Sequence, residues 1–319
     1  MGQYRAFLGA ACETARAMAE DLVVVKPRDH SRITVIENLR QAVEARRFSP
    51  GQASKVRGRT NWVATNTFGK IGRLGISVLK AIQYAPGAHS QLTQDQCDHL
   101  SFHLEVVQRV RGRRVDLRGE REVPVVAYTD AEFTPHRAPR LGGVVFSPRH
   151  SRPLAFTTLV SEDHMAGWKQ RTQQIYMAEL TAVSLLLARY ADRFRDNDAL
   201  IFIDNEGALA ALIRMGSGEE DAELVAQIVH ALATMLNCRV WWDWVDSKSN
   251  PADALSRVGL AADPVRSGAW HGEHLPPFPS WRCRESPWLV ARRLLEHPWE
   301  ELQTRLAELA ATPTTTSAT

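Results

Sequence analysis

Val123-Pro124-Val125-Val126-Ala127-Tyr128-Thr129-Asp130 is the stretch on which the fold turns. Its β-branched and apolar residues favour a half-buried strand, and the run stops on a carboxylate. An aspartate at a strand end either opens a turn or holds a ligand at the edge of a sheet. Taken alone, the stretch leaves both readings open. Its surroundings must supply partners for Asp130 or leave it an ordinary turn residue.

Downstream, Leu141 to Ser147 and Pro153 to Leu159 read as two further strands joined by short turns, which makes an antiparallel meander. Gln173 to Phe194 is a long apolar-rich helix, and Ala199 to Asp204 is a continuous apolar run that ends on a second aspartate, as a fully buried strand would. A short helix over Gly207 to Arg214, a helix over Glu219 to Leu236, a fifth strand over Arg239 to Val245 and a short helix opened by Pro251 complete the pattern. The order implies an α/β fold: a mixed five-stranded sheet, three strands antiparallel and two parallel, with helices on both faces.

Upstream of Arg121 the character is different. Residues 5 to 25 are ambiguous, with strand-like pieces at Arg5 to Gly9 and Leu22 to Val25. Helical spacing runs from Arg32 to Ala45, from about Pro50 to Gly69, from Ile71 to Ile82 and from Asp95 to Arg109. This predicts a mostly helical, basic domain before the sheet. Beyond Leu260 the chain is rich in Pro and Trp and reads as an extended segment lying on the body; a helix over Trp299 to Ala310 and a Thr-rich disordered tail from Pro313 follow.

The net charge of +3 conceals an asymmetry. Residues 1–120 carry 19 Lys and Arg against 11 Asp and Glu, and the remainder 20 against 25. No acidic residue lies between Glu44 and Asp95, whereas Lys55, Arg57, Arg59, Lys70 and Arg73 all do. A polyanion is the natural partner of such a stretch, and a solvated helical face is the plainer reading. Cys12, Cys97, Cys238 and Cys283 are far apart with no metal-ligand spacing, so free thiols are expected. No signal peptide or membrane span is evident, and the expectation is an intracellular protein, in cytoplasm or nucleus, with no membrane partner.

Four carboxylates occupy informative places. If the strands ending in Asp130 and Asp204 are parallel neighbours, both side chains emerge at one edge of the sheet, where open α/β sheets bind ligands. Glu179 falls on the apolar stripe of its helix with Ile175, Val183, Leu186 and Tyr190, an unfavourable place for a charge without ionic partners. A glutamate snorkelling from the helix margin is the alternative. Asp253 follows Asn250, a plausible N-cap, and Pro251 at the helix start, where an acidic residue is favoured by the helix dipole without any function. Carboxylates gathered at one edge need cations or protons. Hard oxygen ligands suit Mg²⁺, with Mn²⁺ as the alternative, and a pair of such ions is the usual clamp for attack of water on a phosphodiester.

The segments Tyr128-Thr129-Asp130-Ala131, Ile175-Tyr176-Met177-Ala178-Glu179-Leu180, Ile203-Asp204-Asn205-Glu206-Gly207 and Ser247-Lys248-Ser249-Asn250-Pro251-Ala252-Asp253-Ala254-Leu255-Ser256-Arg257 resemble the ribonuclease H domain of retroelement, retrotransposon-type reverse transcriptases. The resemblance covers about residues 123–258. It implies cleavage of the RNA strand of an RNA–DNA hybrid, with Asp130, Glu179, Asp204 and Asp253 as the catalytic, metal-binding set and Asn205 and Lys248 facing nucleic acid. Ala6-Phe7-Leu8-Gly9, Ser54 to Trp62 and Phe68 to Arg73 resemble the end of a polymerase module. On this reading 1–30 is a palm remnant, 31–120 a thumb or connection-like region, 121–260 the ribonuclease H-like domain, 261–312 the Pro/Trp-rich segment with its helix, and 313–319 the tail. No Tyr-x-Asp-Asp motif occurs, so DNA synthesis is not expected, and the missing polymerase part is a candidate partner. The histidine that cellular enzymes carry before the last aspartate is replaced by Asp246-Ser247-Lys248-Ser249, which implies slower product release. A catalytically decayed nucleic-acid-binding remnant is the alternative function. Integrases and transposases share the expected fold but place a glutamate late in the order, unlike Glu179.

Overall fold

A computed structural model describes residues 4–7, 10–65, 71, 75–85, 91–109, 112–117, 123–171, 174–215, 219–276 and 286–296. The chain divides into two compact units: Met1–Glu122 with Ile213–Met215 and Ser286–Trp288, and Val123–Leu212 with Gly216–Glu285 and Leu289–Thr319.

The first unit pairs a sheet with helices. Strands β1 (Tyr4–Phe7), β2 (Ala10–Glu13), β3 (Leu22–Pro27) and β4 (Arg113–Asp116) form an antiparallel sheet in that order. The helices are Asp29–Ala45, Pro50–Thr65, Ile76–Gln83 and Gln94–Arg109. Val35, Leu39, Val56, Leu79, Leu100 and Val107 meet in one core, so each helix contributes the apolar face its spacing implied. The helices match the expectation closely; the second is described as far as Thr65, and the third begins at Ile76, not Ile71. The unit is mostly helical as expected, and the strand-like pieces near Arg5 and Leu22 belong to a four-stranded sheet beside the helices. Val23 pairs with Val115, a partner that no local pattern in the sequence announces. Phe68, Gly69, Lys70 and the stretch to Arg73, apart from Ile71, lie outside the described residues, as do the predicted helix over Trp299 to Ala310 and the tail.

The second unit has a mixed α/β fold, a sheet flanked by helices. Its strands are β5 (Val125–Glu132), β6 (Arg140–Phe146), β7 (Leu154–Leu159), β8 (Asp198–Ile203), β9 (Arg239–Trp244) and β10 (His271–His274). The sheet order is β10-β7-β6-β5-β8-β9. β5, β6 and β7 form the antiparallel meander, and β8 runs parallel to β5 with β9 parallel to β8. The sheet therefore has six strands rather than five. β10 adds to β7 in parallel, and the Arg189 guanidinium pairs with Glu273 at its centre, with Nε 3.0 Å from Oε1. His271-Gly272-Glu273-His274 carries no strand pattern, because the ladder and this ion pair hold it rather than an apolar face. The Pro/Trp-rich region likewise contains a helix over Pro287–Glu296, so it is not simply extended.

The helix Ile175–Arg189 buries every residue from Met177 to Ala188, packed against β5 and β6 on one side and the helix Glu220–Met235 on the other. A helix buried all round must be largely apolar all round, as its sequence is apart from Glu179, Thr181 and Ser184, and both hydroxyls are bonded to the helix's own carbonyls. The opposite face of the sheet is covered by the short helix Asp253–Arg257, whose Leu255 packs with Val144 and Ala155. Among the described residues no helix is long and apolar enough to cross a membrane.

Candidate metal centre at the edge of the sheet

The register of the sheet places the carboxylates. Thr129 on β5 pairs with Ile203 on β8, so Asp130 and Asp204 come next to each other; β5 runs on to Glu132, so Asp130 lies within the strand and does not end it as its sequence suggested. Asp204 follows the last residue of β8, and its carbonyl oxygen accepts a hydrogen bond from Trp244 Nε1 at 3.1 Å. Glu179 reaches the same edge from the buried helix. Its Oε1 accepts from the Ala131 backbone N–H at 3.1 Å, which ties the helix to β5 one residue past Asp130.

One oxygen from each of Asp130, Glu179 and Asp204 lies within 4.8 Å of the others. Asp130 is 4% exposed and Glu179 is 2% exposed, so little water reaches either charge. The electrostatic consequence is large. Burial, then the neighbouring Asp204 and Asp253 charges, push the Asp130 carboxyl up to about 7, against the opposing hydrogen bond from Ser256. Burial and the charges of Asp130 and Asp204 raise Glu179 well above the usual carboxylate range. Without a cation such a group must hold protons.

A cavity of about 490 Å³ opens over these carboxylates, lined also by Phe133, Asn205, Ser247, Asp253 and Arg257. Asp253 shares the cavity but stands outside the close triad, with Oδ1 accepting from Arg257 Nε at 2.8 Å. The helix it opens is capped at Ala252, not at Asn250. Asn250 is instead a cross-link: Nδ2 donates to the Thr129 carbonyl at 2.9 Å, and Oδ1 accepts from Ala252 N at 3.1 Å.

The donors present are all carboxylate oxygens, a set that suits hard cations such as Mg²⁺ or Mn²⁺. Glu179 Oε2 supplies an independent sign. It is buried and has no hydrogen-bond partner among the described residues, a state expected of an atom whose partner is an ion or proton. The residues present fit a divalent metal.

The other expected contacts are dispersed. Asn205 lines the cavity, but its Oδ1 is committed to the Ala208 N–H at 2.9 Å, capping the helix Glu206–Arg214. Lys248 is exposed in the turn Ser247–Ser249 and is not among the residues lining the cavity. In the first unit, Lys55 and Arg59 are exposed on the helix Pro50–Thr65, and the Arg57 guanidinium lies 5.6 Å from the centre of the Tyr84 ring. Lys70 and Arg73 lie outside the described residues. His164 and Trp168, which precede the helix of Glu179, are both buried and stack edge to face, with ring centres 5.6 Å apart. They are packing residues. Ser256 was quoted within the last motif without a role, yet it touches Asp130 directly.

No family model matches the chain, and no curated protein matches it. Solved structures do. The N-terminal RNase H domain of a Mycobacterium tuberculosis protein, solved as a fusion with maltose-binding protein, is 19% identical, with 46% of this chain and 99% of that one covered and a TM-score of 0.35. RNase H1 from Halobacterium salinarum is 21% identical, with 43% and 97% covered and a TM-score of 0.33. A foamy viral protease-reverse transcriptase in complex with RNA/DNA hybrid is 11% identical; 78% of this chain aligns to 30% of the viral one, with a TM-score of 0.28.

Proposed function

We propose that the second unit is a divalent-metal-dependent ribonuclease H that hydrolyses the RNA strand of RNA–DNA hybrids. The observation that supports this most is the convergence of Asp130, Glu179 and Asp204 within 4.8 Å, with one buried glutamate oxygen that has no hydrogen-bond donor among the described residues. These three residues would hold the ion or ion pair, Mg²⁺ or Mn²⁺, and Asp253 joins them from the cavity wall once Arg257 releases it. When bound, the ions supply charge stabilisation and a nucleophilic water near neutral pH.

The chain's own residues do the rest. Asp130 lies in β5, Asp204 directly follows the neighbouring β8, and Glu179 is carried by a helix buried along its length, so the ligand set is preorganised. Arg257, on the cavity wall, is a donor for a phosphate once it leaves Asp253. Lys55, Arg57 and Arg59, with the exposed Trp62 on the same helix, make a basic and aromatic surface that fits a nucleic-acid backbone. Hybrid specificity, a retroelement origin and a polymerase partner rest on the sequence motifs. An intracellular location agrees with Cys12, Cys97 and Cys238 being free thiols.

The test is purified protein with an end-labelled hybrid and Mg²⁺. Cleavage confined to the RNA strand, leaving 5′-phosphate and 3′-hydroxyl ends and abolished by chelation, is the expected result. Hybrid binding with no cleavage at any Mg²⁺ or Mn²⁺ concentration would instead establish the decayed remnant.

A further inference from the structure

We infer that Ser256 is a positioning residue for the metal centre: its hydroxyl fixes the Asp130 carboxylate in the orientation that receives the ion. The inference rests on the metal-site reading above and deepens it. Ser256 is fully buried, and its Oγ donates to Asp130 Oδ2. The same oxygen lies 2.8 Å from the Asp253 carbonyl, three residues back on the same short helix. One hydroxyl therefore links the strand that carries Asp130 to the turn that carries Asp253.

The surrounding structure is built to bring that hydroxyl there. Asp130 on β5 pairs across the sheet with Gly142 on β6. A Cβ at Gly142 would come within 2.7 Å of the Ser256 nitrogen and 2.8 Å of Leu255 Cβ, so the helix lies against β6 only because this position is glycine. Thr157 Oγ1 on β7 donates to the Leu255 carbonyl at 3.0 Å, and Asn250 Nδ2 donates to the Thr129 carbonyl at 2.9 Å. Helix Asp253–Arg257 and the turn before it are thus held against β5, β6 and β7.

A carboxylate in a cluster of like charges tends to rotate away from its neighbours or take up a proton. A buried donor on one of its oxygens opposes both movements and leaves the group set for a cation, as outer-shell hydrogen bonds do for metal ligands generally. A purely structural serine would do neither; its loss would alter folding stability and leave ion affinity intact.

The experiment compares the full chain with Ser256→Ala. Alanine is smaller and a good helix former, so the short helix has room for it. Mn²⁺ and Mg²⁺ are titrated calorimetrically into each folded protein, and melting without metal verifies the fold. The expected result is an affinity lower by roughly 10- to 100-fold in Ser256→Ala, with the Mg²⁺ concentration for half-maximal cleavage rising by the same factor and kcat recovering at saturating Mg²⁺. Affinity within twofold of the unaltered protein would overturn the inference. Should Ser256→Ala not fold, Ser256→Cys, which keeps the volume and weakens the donor, is held to the same criterion. Absence of ion binding in the unaltered protein would instead overturn the metal-site reading itself, so the two failures are told apart.

Discussion

Two helices of similar length make opposite use of their side chains. The helix Ile175–Arg189 buries everything from Met177 to Ala188 and carries a single carboxylate, Glu179, into that interior. The helix Pro50–Thr65 buries Ala53, Val56, Thr60 and Val63 on one side and leaves Lys55, Arg59 and Trp62 in solvent on the other. The first holds one functional group where it cannot move. The second offers several that can adapt to a backbone of any sequence. Rigid placement suits chemistry, which needs fixed geometry, and exposed cations suit binding, which does not.

If that division is right, the two functions separate by mutation. Asp130→Asn removes a charge the ion needs and should lower cleavage by more than about 100-fold, the upper range for mere outer-shell changes, while hybrid affinity measured in Ca²⁺ stays within twofold. Undiminished cleavage by this variant would refute the proposed site.

The buried helix also depends on its entry. Asp221, buried, accepts from Arg171 Nη1 at 2.7 Å and from the Lys169 N–H at 2.8 Å, and these contacts hold the segment leading into the helix of Glu179. Arg171→Ala leaves that aspartate without its cation and should destabilise the unit by about 3 kcal/mol, read by chemical denaturation. Arg171→Ala with unchanged stability would show that packing alone fixes the helix.

For the exposed helix, Lys55→Ala with Arg59→Ala should weaken hybrid binding and reduce the slope of log affinity against log salt by about 2, with kcat on saturating hybrid unchanged. An unaltered salt slope would return this helix to the plainer reading of a solvated face.

The smallest effect is on the pH dependence of stability. Asp130 is pushed up to about 7 and Glu179 is raised well above the ordinary range, whereas unfolded carboxyls titrate near about 4. Folding therefore takes up protons between those values. The stability Asp130 contributes without metal is full below about pH 4 and is lost as pH rises through about 7, and the raised Glu179 carboxyl adds to the fall in the same direction. The melting temperature should fall across that interval by a few degrees, and Asp130→Asn, Glu179→Gln or saturating Mg²⁺ should flatten the fall. A flat profile in the unaltered protein would mean that the carboxylates do not interact as described.

Much of the second unit was legible because its signals are local. Strands β5 to β9 announce themselves by alternation or continuous apolar runs, and Glu179 stands out as a charge on an apolar stripe. β10 was not legible, since His271-Gly272-Glu273-His274 is held by a ladder to β7 and by Arg189, 82 residues before its start. In the first unit the strand-like pieces of β1 and β3 were legible but their pairing was not, for the same reason: β3 and β4 are short and lie far apart in sequence. At the site, Ser256 sits in a motif that draws the eye to Asp253, and its contact with Asp130 spans 126 positions.

By itself the sequence singled out four carboxylates and determined where the helices and main strands run, and that one half of the chain is basic. Those properties follow from residue type and local period. Only the tertiary structure decided that Asp130, Glu179 and Asp204 form a close triad while Asp253 stands apart, paired with Arg257. Distances between carboxylates depend on strand register and on the closeness of packing that Gly142 permits, and neither is a property of any single stretch.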